Sequence, residues 1–277
     1  MLNNTFHHIP GIGLKTEQQL WDAGLDHWDR LNNPTGLNLS PRRLETLTRH
    51  VDQSRQEMER GNYSYFSERL PPAYHWRFFP EFRHSMVYLD IETTGLEPSY
   101  ESITTIALYD GITIRYYVKG ENLDRFPEEI SQYKAIVTYN GKCFDVPFIE
   151  HEFGIRLDQV HIDLRYILKS LGFRGGLKGC ERMLGLDRGD LDGVDGYFAI
   201  LLWNDYMRNK DRRVLETLLA YNIEDVVNLE TLMVKAYNLK LGQTPFAKTH
   251  AICLPQRPEL PFSADTATVE RIRGSWY

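Results

Sequence analysis

The stretch MVYLDIETTG, residues 86–95, opens as a short apolar run of strand character and closes on a Thr-Thr-Gly turn. Side chains two positions apart on a strand leave the same face. Asp90 and Glu92 therefore project together near the strand's end. Two neighbouring carboxylates repel, and burial raises the cost of ionising them. A divalent cation resolves that conflict, and a hard oxygen donor set suits Mg²⁺ or Mn²⁺. The spacing alone is weak: about one Asp-x-Glu pair is expected by chance in a chain of this length. Taken alone, the pair is better explained as solvated surface charges.

Working outward, SITTIALYD (102–110) and GITIRYYV (111–118) read as two further strands. Asp110-Gly111 between them signals a tight hairpin. KAIVTYN (134–140) is another strand, ending in Asn140-Gly141, and FDVPFIEHEFG (144–154) begins a helix with Pro147 near its first turn. VHIDL (160–164) is a short strand or strand end. Helices are expected at about 163–171, 176–184, 197–208 and 212–238. A meander of three strands followed by strand–helix–strand–helix implies an α/β fold, a mixed sheet with helices on both faces.

Upstream, residues 1–60 read as a small helical region. HIPGIGLKTEQQLWDAGL (8–25) has a Gly-rich turn and an amphipathic helix bearing Leu20 and Trp21, with Gly24 as its stop. The turn resembles half of a helix–hairpin–helix, in which backbone N–H groups meet a phosphate; an appendage that merely packs on the next domain is the preferred reading. His7 and His8 have no partner at metal-ligand spacing and are read as surface residues. A charged helix is expected over 41–60, with Pro41 at its start and Gly61 stopping it. Residues 61–85 form an aromatic- and proline-rich connector expected to pack on the domain at 86–240. The extension 241–277 has no clear periodicity and no assigned role.

The 277 residues carry a net charge of −6, with 42% hydrophobic and 25% charged residues. That balance counts against broad phosphate binding, which favours basic proteins, yet a carboxylate metal site is itself acidic. Cys143, Cys180 and Cys253 are scattered and odd in number, so no zinc site or disulfide framework is expected. The N-terminus lacks signal-peptide character and no apolar run reaches the ~20 residues of a membrane helix. A reducing, cytoplasmic setting is the expectation.

Two more segments carry candidate chemistry. In AYNIEDVVNLETL (220–232), Tyr221 and Asp225 stand at i and i+4 on one helix face. A core aromatic and an ordinary helix charge explain them as well, and Glu224, about 100° away around the axis, is a rival carboxylate. Asp145, in TYNGKCFDVPFI (138–149), falls in a first helical turn, where the helix dipole favours an acid whatever its role.

Taken in order, DIETTG, YNGKCFDVPFI and YNIEDVVNL resemble the three exonuclease motifs of the DnaQ-like DEDD superfamily. The Tyr-x-x-x-Asp of the third is similar to the DEDDy branch. The pattern from WRFFPEF (76–82) through GGLKGCERMLGL (175–186) to LLAYNIEDVVNL (218–229) most resembles the YprB-like group, over roughly residues 70–238. The resemblance implies a ribonuclease-H-like fold and 3′–5′ exonuclease activity by a two-metal mechanism. It implies that Asp90, Glu92 and Asp225 hold one ion, that Asp90 bridges to a second, and that Asp145 orders that second ion, partly through water. It also implies that Tyr221 positions the attacking water. Metal pairs of this kind stabilise entering and leaving oxygens, and phosphoryl chemistry needs neutralisation more than a covalent nucleophile.

Thr93, Asn140 and Lys178 are the candidate substrate contacts. Lys178 belongs to a run with Arg165, Lys169, Arg174 and Arg182 that either guides a nucleic-acid backbone or forms a solvated helix face. Asn140 reads equally as a turn residue, and Asp163 as a cap for the helix after it. The expected partner is a single-stranded or 3′-ended DNA or RNA. Two other functions stay open: a catalytically silent nucleic-acid- or partner-binding module on the same fold, and a ribonuclease-H-type endonuclease.

Overall fold

The computed structural model describes residues 1–274 apart from 35, 38 and 187–195. The last three residues of the C-terminal extension therefore lie outside the described residues. Five strands form one mixed sheet: β1 (Met86–Thr93), β2 (Ile103–Tyr109), β3 (Ile114–Val118), β4 (Ala135–Thr138) and β5 (Val160–Asp163), in the order β3-β2-β1-β4-β5. The pairs β1–β2 and β2–β3 are antiparallel; β1–β4 and β4–β5 are parallel. The meander and the strand–helix–strand unit expected from the sequence are both present. Asp110 holds the β2–β3 turn, its Oδ1 accepting from the N–H groups of Ile112 (3.0 Å) and Thr113 (2.7 Å).

The helices among the described residues are α1 (Leu14–Asp22), α2 (Pro41–Glu59), α3 (Ser64–Ser67), α4 (Phe79–Phe82), α5 (Phe126–Ile130), α6 (Asp145–Phe153), α7 (Leu164–Ser170), α8 (Gly176–Met183), α9 (Gly196–Asn209), α10 (Arg212–Leu241) and α11 (Thr266–Gly274). The alternation along β1 divides the core in two. Val87, Leu89 and Ile91 face a cluster with Phe126, Ile130, Phe148 and Ile149 of α5 and α6. Met86 and Tyr88 face a larger cluster that holds Leu218, Leu219, Ile223 and Val226 of α10. Asp90 and Glu92 continue this second register, so the sheet's alternation aims both carboxylates at the long helix.

Asp211 caps α10 by accepting from Arg213 N–H at 3.0 Å. Thirty residues of regular helix extend about 45 Å, enough to cross the whole sheet. The tail then runs back along it. Tyr237 Oη donates to the His250 carbonyl (3.0 Å), Asn238 exchanges two hydrogen bonds with Ile252, and Asp265 N–H reaches Thr217 Oγ1 (3.0 Å). Residues 247–265 of this segment form no helix or strand and so give no periodic signal, and side-chain hydrogen bonds hold them; Phe246 before them and Val269 and Ile272 of α11 after them are buried in the larger core.

The N-terminal region is part of the larger core: Phe6, Leu20, Trp21, Trp28, Leu47 and Val51 are buried in the same cluster as Tyr88 and α10. His8 is buried, not superficial as expected; its Nε2 lies 2.8 Å from Ser54 Oγ of α2, and burial lowers its pKa to about 3. The connector contributes Arg77, which meets Glu17 of α1 in a two-pronged ion pair, 2.7 Å at each prong, with both side chains almost wholly buried. Glu17 also accepts from the N–H groups of Phe6 and His7 at 2.7 and 2.9 Å. It thereby ties the backbone just before the Gly-rich turn to α1.

A buried pair is costly to break on one side, because the surviving charge is left alone in the interior. Glu17→Ala is expected to destabilise the protein by about 3–5 kcal/mol. The double variant Glu17→Met, Arg77→Met should lose clearly less, as both charges leave together. Urea melts check this; a single-variant loss below about 1 kcal/mol would contradict the burial argument.

Candidate metal centre and cleft

β1 pairs with β4 only over Met86–Tyr88 against Ala135–Val137. Beyond Tyr88 the two strands part, and a crevice opens at their C-terminal ends, the usual place for a ligand in a sheet whose strand order changes direction there. The pairing of β1 with β2 also slips between Glu92 and Thr93. Such a bulge bends a strand and re-aims its side chains, and both Glu92 and Thr93 line the crevice. They are 7% and 5% exposed.

Asp90, Glu92 and Asp225 each present an oxygen to the crevice, and those oxygens lie within 4.8 Å of one another. Asp145 lines the same crevice from the first residue of α6 and is 4% exposed. Tyr221 lines it too, one helical turn before Asp225. The rival carboxylate Glu224 faces elsewhere. It bonds Arg257 of the tail and, at 3.3 Å, Asn228 Nδ2; that same amide bonds Glu181 Oε1 at 2.9 Å. The tail therefore neutralises the acid that the cleft does not use.

Electrostatics follow from the crowding. Burial pushes the Asp90 carboxyl well above its usual range, and the charges of Asp225, Asp145 and Glu92 push it further. Asn222 opposes them, its Nδ2 donating to Asp90 Oδ2 at 2.7 Å. Asn222 is itself fully buried and accepts from Thr105 Oγ1 of β2 at 3.1 Å. It is a positioning residue that sequence reasoning missed, although it sits beside Tyr221 in the same motif. Burial raises Asp145 to about 7, against hydrogen bonds from its own N–H and that of Ile91.

The turn between β4 and α6 is built for close approach. Asn140 adopts φ 68°, and a Cβ at Gly141 would collide with the Thr138 side chain. Asp163 ties this turn to α7: its carboxylate accepts from Asn140 N–H (2.8 Å), Lys142 N–H (3.1 Å) and Arg165 N–H (3.0 Å). The expected helix cap is present, extended to the neighbouring turn. Asn140 lines the crevice, its side-chain oxygen bonded by Arg165.

Of the expected basic run, Arg165, Lys169 and Arg174 line the crevice, together with Phe144, Phe173 and Tyr197. Lys178 does not line it; its ammonium lies 4.7 Å from the centroid of the Tyr221 ring, on which it forms a cation–π contact. Arg182 is exposed and also outside the lining. The helical pattern could not distinguish these positions, because the break at Gly175 and Gly176 turns α8 relative to α7. The three cysteines are free of disulfides, and no helix among the described residues is long and apolar enough to cross a membrane.

A family model described as the RNase_H superfamily matches residues 87–237. The uncharacterized protein YprB of Bacillus subtilis (strain 168) is 26% identical over 193 residues, which cover 61% of this chain and 46% of that protein. The chain thus spans about half the length of the curated relative it matches. Among solved structures, the family B DNA polymerase of the archaeon Pyrobaculum calidifontis aligns with a TM-score of 0.44 at 17% identity, over 56% of this chain and 24% of that one. Brucella melitensis NrnC bound to pGG aligns with a TM-score of 0.41 at 20% identity, over 61% and 79%. NrnC of the same organism with bound Mg²⁺ aligns with a TM-score of 0.39 at 17% identity, over 62% and 81%.

The raised Asp145 pKa makes the metal-free protein sensitive to pH. Between the ordinary value of 3.8 and about 7, the folded state keeps a proton that the unfolded chain has released. Stability contributed at this site therefore falls as pH rises through that window and is lowest above it. Asp145→Asn is expected to flatten the fall in melting temperature between those pH values and to melt higher than the parent above pH 7, all in chelator. Parallel pH profiles for the two proteins would contradict the assignment.

Proposed function

The chain belongs to the RNase H superfamily, and from that membership and the geometry of the crevice we propose that it is a metal-dependent 3′–5′ exonuclease acting on single-stranded or 3′-ended DNA or RNA. One observation carries the reading: Asp90, Glu92 and Asp225, from a strand and a helix far apart in sequence, bring their oxygens within 4.8 Å. Asp145 stands in the same crevice.

The donor set fits the proposed group. All four side chains offer hard oxygen, and Asp90 is under strong repulsion from its neighbours. Two divalent cations, Mg²⁺ or Mn²⁺, held by Asp90, Glu92, Asp145 and Asp225, would lower the pKa of bound water and neutralise charge developing on the phosphate. The remaining roles belong to the chain. Asn222 and Thr105 hold Asp90 in place. Tyr221 offers a phenol on the Asp225 face of α10, where it can orient the attacking water. Arg165, Lys169 and Arg174 line the approach and can meet backbone phosphates. Phe144, Phe173 and Tyr197 offer surfaces on which unpaired bases can stack. Thr93 and Asn140 flank the acids and can contact the terminal nucleotide.

The direction of cleavage rests on the resemblance of the Tyr221–Asp225 pair to the DEDDy exonucleases. Strands of DNA and RNA labelled at one end, incubated with Mg²⁺, Mn²⁺ or chelator, test it. The expected result is stepwise shortening from the 3′ end, lost in chelator and in Asp225→Ala, and blocked by a modified 3′ terminus. Internal cuts in the 3′-blocked strand would point to an endonuclease, and binding without any cleavage to a silent module.

Tyr221→Phe isolates the hydroxyl. If it orients water, the single-turnover rate at saturating metal should fall roughly tenfold to a thousandfold, with substrate affinity little changed. A rate within about twofold of the parent would return Tyr221 to a packing role, since the ring alone fills the space.

A further inference from the structure

A second cavity, of about 140 Å³, lies where α1, the connector and the end of α10 meet. Lys240, which lines it, is fifteen residues beyond Asp225, or about 22 Å along the helix axis. The cavity is thus separate from the acidic crevice, and its chemistry is independent of the nuclease reading. Its walls are Trp21, Tyr74 and Trp76, and its charged groups are Arg77, Lys240 and Glu17.

The local charges do not balance. Glu17 is fully engaged: Oε1 accepts from Phe6 N–H, His7 N–H and Arg77 Nη1, and Oε2 from Arg77 Nη2. Lys240 is 6% exposed, and its ammonium makes no hydrogen bond or ion pair among the described residues. Its polar neighbour is the Tyr74 ring, 5.7 Å from Nζ to the centroid. Arg77 Nε and Trp76 Nε1 are buried without an acceptor among the described residues. Burial and the Arg77 charge lower the Lys240 pKa accordingly. Aromatic faces stabilise cations by about 0.5–1 kcal/mol at exposed sites and more when dry, but they carry no formal charge. One positive charge in excess at a mostly buried position, with no carboxylate free to pair it among the groups lining the cavity, is the inverse of what a protein interior tolerates.

We propose that this cavity binds one tetrahedral oxyanion, a phosphate either free or as the terminal group of a phosphate monoester. The volume equals roughly four or five waters, which suits a phosphate. Lys240 supplies the counter-charge, and the side-chain amide of Gln243, just past the end of α10, supplies a neutral donor at the rim. The bound anion would join α1 to the end of α10 through the Glu17–Arg77 pair, so that occupancy stabilises the junction between the N-terminal region and the sheet domain.

Thermal melting of the full chain in chelator, at constant ionic strength, tests the site. Inorganic phosphate at about ten times its dissociation constant should raise the melting temperature on the order of 3 °C, with chloride as the inactive control. Lys240→Met should abolish that shift. Gln243→Glu, at an exposed position, should melt higher without phosphate, because it places a carboxylate at the rim, and should no longer respond to phosphate. A 5′-phosphorylated oligonucleotide compared with its 5′-hydroxyl twin separates a terminal phosphate from the free ion; an equal response to both assigns the site to the free ion. Absence of a phosphate-specific shift in the parent, or an equal shift in Gln243→Glu, would overturn the proposal, and the second comparison holds even if Lys240→Met fails to fold.

Discussion

Mutual repulsion among buried carboxylates is the constraint around which this protein is arranged. Asp90, Glu92 and Asp225 converge within 4.8 Å, and Asp145 is raised to about 7 beside them. No hydrophobic gain favours that convergence, so the scaffold must impose it. The sheet does so through period-two alternation, which aims Asp90 and Glu92 at one face, and through the early parting of β1 and β4, which leaves room between them. The helix α10 does so through its length: buried over most of its course, it cannot rotate Asp225 away without exposing the core residues around it.

The remaining elements brace this arrangement. Asn222 takes up one Asp90 oxygen and passes the restraint to Thr105 on the adjacent strand. Asp163 locks the β4–α6 turn that delivers Asp145. The tail, running back along α10, neutralises Glu224 through Arg257 and bonds Asn228 at 3.0 Å. An unneutralised Glu224 next to Asp225 would add to the repulsion. The N-terminal region closes the far end of α10 and joins the same core through Glu17 and Arg77.

Much of this was legible in the sequence because it rests on local periodicity. Four strands show in the sequence as short apolar runs and the fifth, at 160–163, as a short strand or strand end; the shared face of Asp90 and Glu92 follows from their spacing. The choice between Glu224 and Asp225 was not legible in periodicity, since it depends on Arg257, which reaches back from a segment with no pattern. Lys178 misled for a similar reason: Gly175 and Gly176 re-aim α8, and only the three-dimensional path shows its ammonium behind Tyr221. His8 gave no sign of burial because its partner, Ser54, lies a helix away. Asn222 carried a readable clue, its place between Tyr221 and Asp225, but its meaning requires knowing that Asp90 lies opposite.

The proposed role of the acidic cluster is to hold divalent cations. Titration of the chelator-stripped protein with Mn²⁺, followed by the loss of the free-ion electron paramagnetic resonance signal, tests it without reference to any substrate. Saturable binding that Mg²⁺ competes away and that Asp90→Asn sharply weakens is the expected result. Undiminished Mn²⁺ binding in Asp90→Asn, or no binding by the parent above that of a denatured control, would contradict it.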